Sequence, residues 1–199
     1  MQLLRLRIID ILISLAGIIC GLPIILIIYT ICLFDTGSPL FFQQRVGKNM
    51  SLFTLIKFRT MSINTDSVGT HLVDTTSITI VGSFLRKTKL DELPQLFNVL
   101  LGHMSLVGPR PCLPNQAELV EERNKRGIFK VRPGVTGLAQ VNEVDMSTPR
   151  KLARYDALMI NSMTLKLYVK LIINTLLGQG HGDRAREHKS NTSVQKNTP

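Results

Sequence analysis

The sequence contains no tryptophan, and aromatic residues make up only 6% of its 199 positions. Proteins that hold single strands or read RNA stack bases on aromatic side chains, and no recognisable RNA- or DNA-reading motif is present, so nucleic acid is not expected as a partner. Cysteine is nearly as scarce. Cys20, Cys32 and Cys112 are odd in number and far apart, which excludes a disulfide framework and a zinc knuckle and fits a reducing, cytosol-facing compartment. The four histidines (His71, His103, His181, His188) lack ligand spacing, so structural zinc is not expected. Walker loop, dinucleotide fingerprint, zinc-protease helix and serine elbow are all missing. Acidic residues are few, fourteen against twenty-four Lys and Arg, and the net charge of +10 favours anionic partners: phosphorylated metabolites or an acidic membrane surface.

What the chain does have is a long apolar run. "ILISLAGIICGLPIILIIYTICLF", residues 11 to 34, carries no charge and is long enough to span a bilayer as a helix. It is too long for the apolar part of a cleaved signal peptide. Arg5 and Arg7 precede it, and Arg45, Lys48, Lys57 and Arg59 follow, so the positive-inside rule pulls both ends to the cytoplasm. Pro23 lies mid-run after Gly17 and Gly21, where proline removes a helical hydrogen bond. A bent segment that enters and leaves by one face fits the charges, and an ordinary kinked transmembrane helix fits the proline equally well.

After Asp35 the pattern becomes that of a mixed α/β domain, more narrowly α+β. "GSPLFFQQRVG" and "SLFTLIKFRTM" read as short strands, the second with Phe53, Leu55, Lys57 and Arg59 on one face. Lys57 and Arg59 at the end of that face fit an anion site or a strand end reaching solvent. Residues 62 to 80 read as a loop or flap with a strand-like end. "AELVEERNKRG" reads as a charged helix stopping at Gly127, and a long helix is expected from Thr148 to Leu177 with a break near 161 to 164. In its second part Leu165, Tyr168, Val169, Ile172, Ile173 and Leu176 share a face and Lys166 and Lys170 another, as in a helix on an anionic membrane. The domains are thus 1–34, a membrane-inserted segment; 35–180, the catalytic or binding domain; and 181–199, a polar tail expected to be disordered.

One stretch concentrates the chemistry. In "RKTKLDELPQLFNV", residues 86 to 99, Arg86, Lys87 and Lys89 run into Asp91 and Glu92 at the start of a helix predicted from the apolar period Leu93, Leu96, Phe97, Leu100 and Leu101. The simple reading is a cap, in which Asp91 or Glu92 satisfies free backbone donors with Pro94 in the first turn. The functional reading is a phosphate site in which a carboxylate acts as nucleophile or metal ligand among neutralising cations. Arg110, between prolines in "SLVGPRPCLPNQ", and Arg132, beside Pro133 in "VRPGVTGLAQVN", are further anion-binding candidates.

Taken in order, "GSPLFFQQRVG", "KFRTM", "GSFLRKTKLDELPQLFNVLLGHMSLVGPRP" and "VRPGVTGLAQVN" resemble the bacterial sugar transferases of the monotopic phosphoglycosyl transferase family, over about residues 5 to 177. The resemblance implies transfer of a sugar phosphate from a UDP-sugar to undecaprenyl phosphate with release of UMP and a requirement for magnesium (Mg2+). It makes Asp91 the nucleophile, forming a phosphosugar-aspartyl intermediate, and Glu92 its partner in metal or proton handling. It makes Arg86 and Arg110 phosphate contacts and aligns Asp156 with a further acidic site residue. Lys57, Arg59 and Arg132 join these as substrate-binding candidates.

The same resemblance makes the hydrophobic segment a re-entrant helix broken at Pro23, with amphipathic interfacial helices and a short sheet on the cytoplasmic face of a bacterial inner membrane, among membrane lipids and downstream glycosyltransferases. Leu22 stands where many members have serine, Lys89 where a small hydroxyl residue is usual, His103 where an acid is frequent, and "GLAQV" where many carry tryptophan. The short form of the chain and the "GLAQVNEVDMSTP" stretch lean toward an N-acetylated amino sugar, deoxygenated in one version of the expectation. The competing expectation is a non-enzymatic membrane-anchored anion-binding scaffold for glycan assembly, with Asp91 and Glu92 as helix caps only.

Overall fold

The computed structural model describes residues 2–63, 65 and 75–180. The centre of the loop expected at 62 to 80, and the tail from 181, lie outside the described residues.

Helix α1, Gln2–Thr36, is 35 residues long and runs through Pro23, where the sequence suggested an interruption, without a gap. Its most apolar window is only 11% buried, whereas a core helix of a soluble protein would be mostly covered. One stripe, Leu6, Asp10, Ser14, Ile28 and Cys32, faces the rest of the protein. Gly17 belongs to the same stripe, and a side chain there would meet Leu96 at 3.1 Å. The other faces leave Leu12, Leu15, Ile19, Leu26, Ile27 and Phe34 exposed.

Both ends of α1 are fastened. Arg7 donates from Nη1 to the carbonyl of Val99 (2.7 Å) and from Nη2 to that of Leu100 (3.1 Å), satisfying orphan acceptors at the end of helix α3, Gln95–Leu100. Asp10 accepts from the Leu106 N–H (2.8 Å), from Ser105 Oγ (3.1 Å) and from the Tyr168 hydroxyl. At the other end Ile28 and Cys32 pack with Phe58 and Leu85, and Thr79 donates to Asp35 Oδ2 at 2.7 Å.

The mixed domain that α1 packs on holds two small sheets. Strands β1, Leu40–Val46, and β2, Leu52–Phe58, form an antiparallel hairpin in the register Leu40↔Phe58 to Val46↔Leu52. The expected alternation holds, with Phe53 and Leu55 buried and Lys57 half-buried on that face. The strand-like "TSITI" contributes only a bridge, Met61↔Ile78. Helix α2, Ile80–Thr88, follows, because Thr79 Oγ1 captures the Gly82 N–H at 2.9 Å and overrides the β-branched pattern. Gly82 is required there, since a Cβ would lie 2.1 Å from the Thr60 carbonyl oxygen.

Strands β3, Ser105–Val107, and β4, Gly134–Thr136, pair in parallel. Helix α4 spans Ala117–Lys125, and short α5, Leu138–Val141, follows β4. The long helix expected after Thr148 divides at the anticipated place into α6, Pro149–Asn161, and α7, Leu165–Leu176. The stripe read on α7 splits differently from the expectation. Tyr168 and Leu171 turn inward to the core with Leu6, Val99 and Met104, while Leu165, Val169, Ile173 and Leu176 are exposed. Exposed apolar side chains of this kind, on α7 as on α1, mark a surface that contacts a membrane or another protein.

Candidate active site

The site grows from the end of α2. Lys89 takes a left-handed conformation (φ 59°) and stops the helix, and a 3-10 turn, Leu90–Glu92, follows before α3 begins after Pro94. The single helix expected from Asp91 is therefore divided, and its cations, Arg86 and Lys87, belong to the last turn of α2. Neither the 3-10 turn nor α3 receives a hydrogen bond from its N-cap side chain, and the turn swings the Asp91 carboxyl inward, where it is only 8% exposed.

Burial, and after it the neighbouring Glu92 charge, push the Asp91 pKa up to about 6, against the opposing pull of Lys57, Arg86 and Arg110. These five side chains are the sequence candidates that the fold brings together. Glu92 is paired with Arg110 at 3.0 Å. Arg86 donates from Nε to Thr60 Oγ1 at 2.9 Å, which fixes the direction of its guanidinium. Lys57 rests over the Phe41 ring, its ammonium 5.3 Å from the ring centre. Desolvation lowers the Lys89 pKa, and its ammonium donates to the Gln179 carbonyl at 2.8 Å.

The other three candidates are placed elsewhere. Arg59 shares the Phe41 ring but donates from Nε to the Ser38 carbonyl (2.9 Å), tying the end of β2 to the start of β1. Arg132 donates from Nε to the Gly102 carbonyl (2.7 Å) and closes the turn after α3. Asp156 is buried and pairs with Arg123, accepting from Nη2 at 2.7 Å and Nε at 3.0 Å. Its contact is with a guanidinium of the protein, and it reaches the site through the next bond: Arg123 Nη1 donates to the Arg110 carbonyl at 2.7 Å.

That bond belongs to a rigid bed. The Pro109, Arg110, Pro111 and Cys112 carbonyls accept in turn from the Gly134 N–H (2.9 Å), Arg123 (2.7 Å), Arg45 Nη1 (2.9 Å) and the Val46 N–H (2.9 Å). With two prolines fixing φ, the Arg110 backbone has little freedom left, which pre-organises its side chain opposite Glu92. Sequence reasoning missed Arg123 because α4 reads as a charged surface helix. The signal was its place four residues after buried Leu119, on the same helical face.

Among the described residues no three His, Cys, Asp or Glu side chains cluster as a metal site, so Asp91 and Glu92 are the adjacent oxygen donors at this place. Beside the Glu92–Arg110 pair opens a cavity of about 190 Å³ whose walls come from Lys89, the segment from Val135 to Met146 and the end of α7.

An outward-facing apolar helix packed on a small mixed domain points to membrane association, and the domain holds a buried carboxylate among cations. The chain belongs to the bacterial sugar transferase family, whose model matches residues 1–179. It is 38% identical to the sugar transferase EpsL of Bacillus subtilis over 171 residues, covering 85% of this chain and 84% of that protein. It is 40% identical to a sugar transferase of Haemophilus influenzae over 162 residues, 71% of this chain but 34% of the relative. It is 39% identical to the UDP-glucose:undecaprenyl-phosphate glucose-1-phosphate transferase of Klebsiella pneumoniae over 180 residues, 85% of this chain and 39% of the relative. The chain thus spans little more than a third of the length of the last two.

Proposed function

We propose that this chain transfers a sugar 1-phosphate from a UDP-sugar to undecaprenyl phosphate, releasing UMP, as a first membrane step of glycan assembly. The observation that carries the reading is the Asp91 carboxyl, buried at an energetic cost among Lys57, Arg86 and Arg110 without capping a helix. The Klebsiella pneumoniae relative, named for the same class of reaction, supports it.

In the first step an Asp91 oxygen attacks the sugar-bearing phosphorus, and the bond from that phosphorus to the bridging oxygen breaks. UMP leaves with the electron pair. In the second, an oxygen of undecaprenyl phosphate attacks the same phosphorus, the bond to Asp91 breaks and the carboxylate is restored. Arg86, Arg110 and Lys57 neutralise the phosphate charge that would otherwise repel the carboxylate. Two adjacent carboxylates, completed by substrate phosphates, match the oxygen donors that magnesium takes. Asp91 and Glu92 would hold it, and when bound it supplies charge neutralisation at the departing phosphate.

The test is UMP release by purified protein given a panel of UDP-sugars, including glucose, galactose and N-acetylated amino sugars. Sustained release is expected only with undecaprenyl phosphate and magnesium both present; with magnesium and donor alone, release stops at about one UMP per protein, the burst of a covalent intermediate. No release from any donor would favour the anchored anion-binding scaffold.

The placement of α1 supports a monotopic topology, both helix ends on one side, with the catalytic domain on the cytoplasmic face. Helix residues near both ends, Leu6 and Cys32, are buried against the same domain, whereas a spanning helix would leave one end across the bilayer. Reporter cysteines at Arg5 and Lys48, both exposed, are expected to react with an impermeant maleimide from the same side of sealed vesicles. Labelling from opposite sides would exclude re-entry.

A further inference from the structure

The cavity beside Glu92 and Arg110 has a chemistry of its own. No aromatic side chain lines it, so it offers no stacking platform for a uracil. Its volume of about 190 Å³ is below the roughly 300–1,000 Å³ of sites for drug-sized ligands, which suits one ring better than a whole nucleoside diphosphate. Gln140, Glu143, Asp145, Thr175 and Gln179 are polar residues of its lining, and Val144 and Met146 are apolar ones. Paired acceptors and donors suit ring hydroxyls, and the apolar residues suit an acetyl methyl or a deoxygenated carbon.

The cavity is also closed from one side by the end of the described chain. Lys89 Nζ holds the Gln179 carbonyl at 2.8 Å, and Gly180 is buried so tightly that a Cβ there would lie 2.5 Å from the Gln140 carbonyl oxygen. A segment far along the chain is thereby fixed two residues from the catalytic carboxylate. Gln140 is itself oriented by donating from Nε2 to the Val135 carbonyl at 2.8 Å.

We propose that this cavity is the subsite for the transferred sugar, with Gln140, Glu143 and Gln179 selecting the donor, while the nucleoside lies outside it. The assignment rests on the transferase reading above. It places the sugar beside Glu92 and Arg110, at the phosphate that Asp91 attacks, and makes the Lys89 latch a determinant of which sugars enter.

The experiment compares wild-type protein with Gln179→Ala, which keeps the backbone carbonyl that Lys89 holds, and with Glu143→Gln. Steady-state kinetics on the UDP-sugar panel are measured together with product inhibition by UMP. The expected result is a KM for the preferred donor raised at least tenfold, an altered ranking of donors, and UMP inhibition unchanged within twofold. A parallel loss of UMP inhibition would overturn the assignment in favour of a nucleoside site, and unchanged donor kinetics in both variants would overturn it outright. Wild-type protein that turns over no donor would instead sink the transferase reading, and the sugar subsite with it.

Discussion

Asp91→Asn is expected to abolish UMP release and, in the same protein, to make the fold more stable at neutral pH. The loss follows from chemistry: an amide oxygen does not form the bond to phosphorus, and removal of a nucleophile costs on the order of 10⁴-fold or more in turnover. The gain follows from electrostatics. The Asp91 pKa is about 6 in the folded protein, raised from 3.8 first by burial and then by Glu92, so the folded state holds the proton more tightly than the unfolded chain does. Stability from this group is therefore fully present below about pH 4, falls as pH rises, and is lost above about pH 6. A difference of this size corresponds to about 3 kcal/mol.

Asparagine carries no such penalty, so the variant is expected to gain up to about 3 kcal/mol over wild type at pH 7.5 and to match it near pH 4. Denaturant unfolding in detergent micelles at the two pH values measures the gain, and trapping with labelled donor measures the chemistry. A variant that still turns over would refute the covalent step. One that is less stable than wild type at pH 7.5 would refute the cost of burial.

The second large effect lies away from the cleft. Asp156→Ala leaves the Arg123 guanidinium buried without its carboxylate, and breaking such a pair from one side costs about 3–5 kcal/mol. Unfolding at lower denaturant is the expected readout. Removing both charges in Arg123→Met, Asp156→Leu is expected to recover most of that stability, because an apolar pair of similar volume has no desolvation penalty. Activity should not recover with it. The Arg110 carbonyl has lost its donor, and if Arg110 contacts phosphate as proposed, its misplacement lowers turnover by about tenfold or more. A double variant with full stability and full activity would show that Arg123 does not position Arg110. The design separates a structural ion pair from a positioning one, which the single variant cannot do.

The candidate site was partly legible because its chemistry is concentrated in a local motif. Arg86, Asp91 and Glu92 are neighbours in the chain, and the prolines around Arg110 announce a fixed turn. The break between α6 and α7 was legible for a similar reason, since the polar "NSMT" interrupts two apolar periods. Arg59 and Arg132 were less legible. A cation beside a strand end or a proline looks the same in sequence whether its donors face a ligand or a backbone carbonyl, and here both have backbone partners. Arg123 was hidden by the glutamates and lysine around it on α4, and Asp10 by the apolar run that it precedes.

The sequence by itself determined the apolar helix, the positive charge and the carboxylate pair, because hydropathy, net charge and nearest-neighbour chemistry need no partner to be defined. Tertiary structure alone decided that Asp91 is buried, that Lys57 and Arg110 meet it from distant segments, and that residues 179 and 180 close the neighbouring cavity. Desolvation and long-range charge are properties of an environment. That environment is assembled only when β2, the 3-10 turn, β4 and the end of α7 pack together.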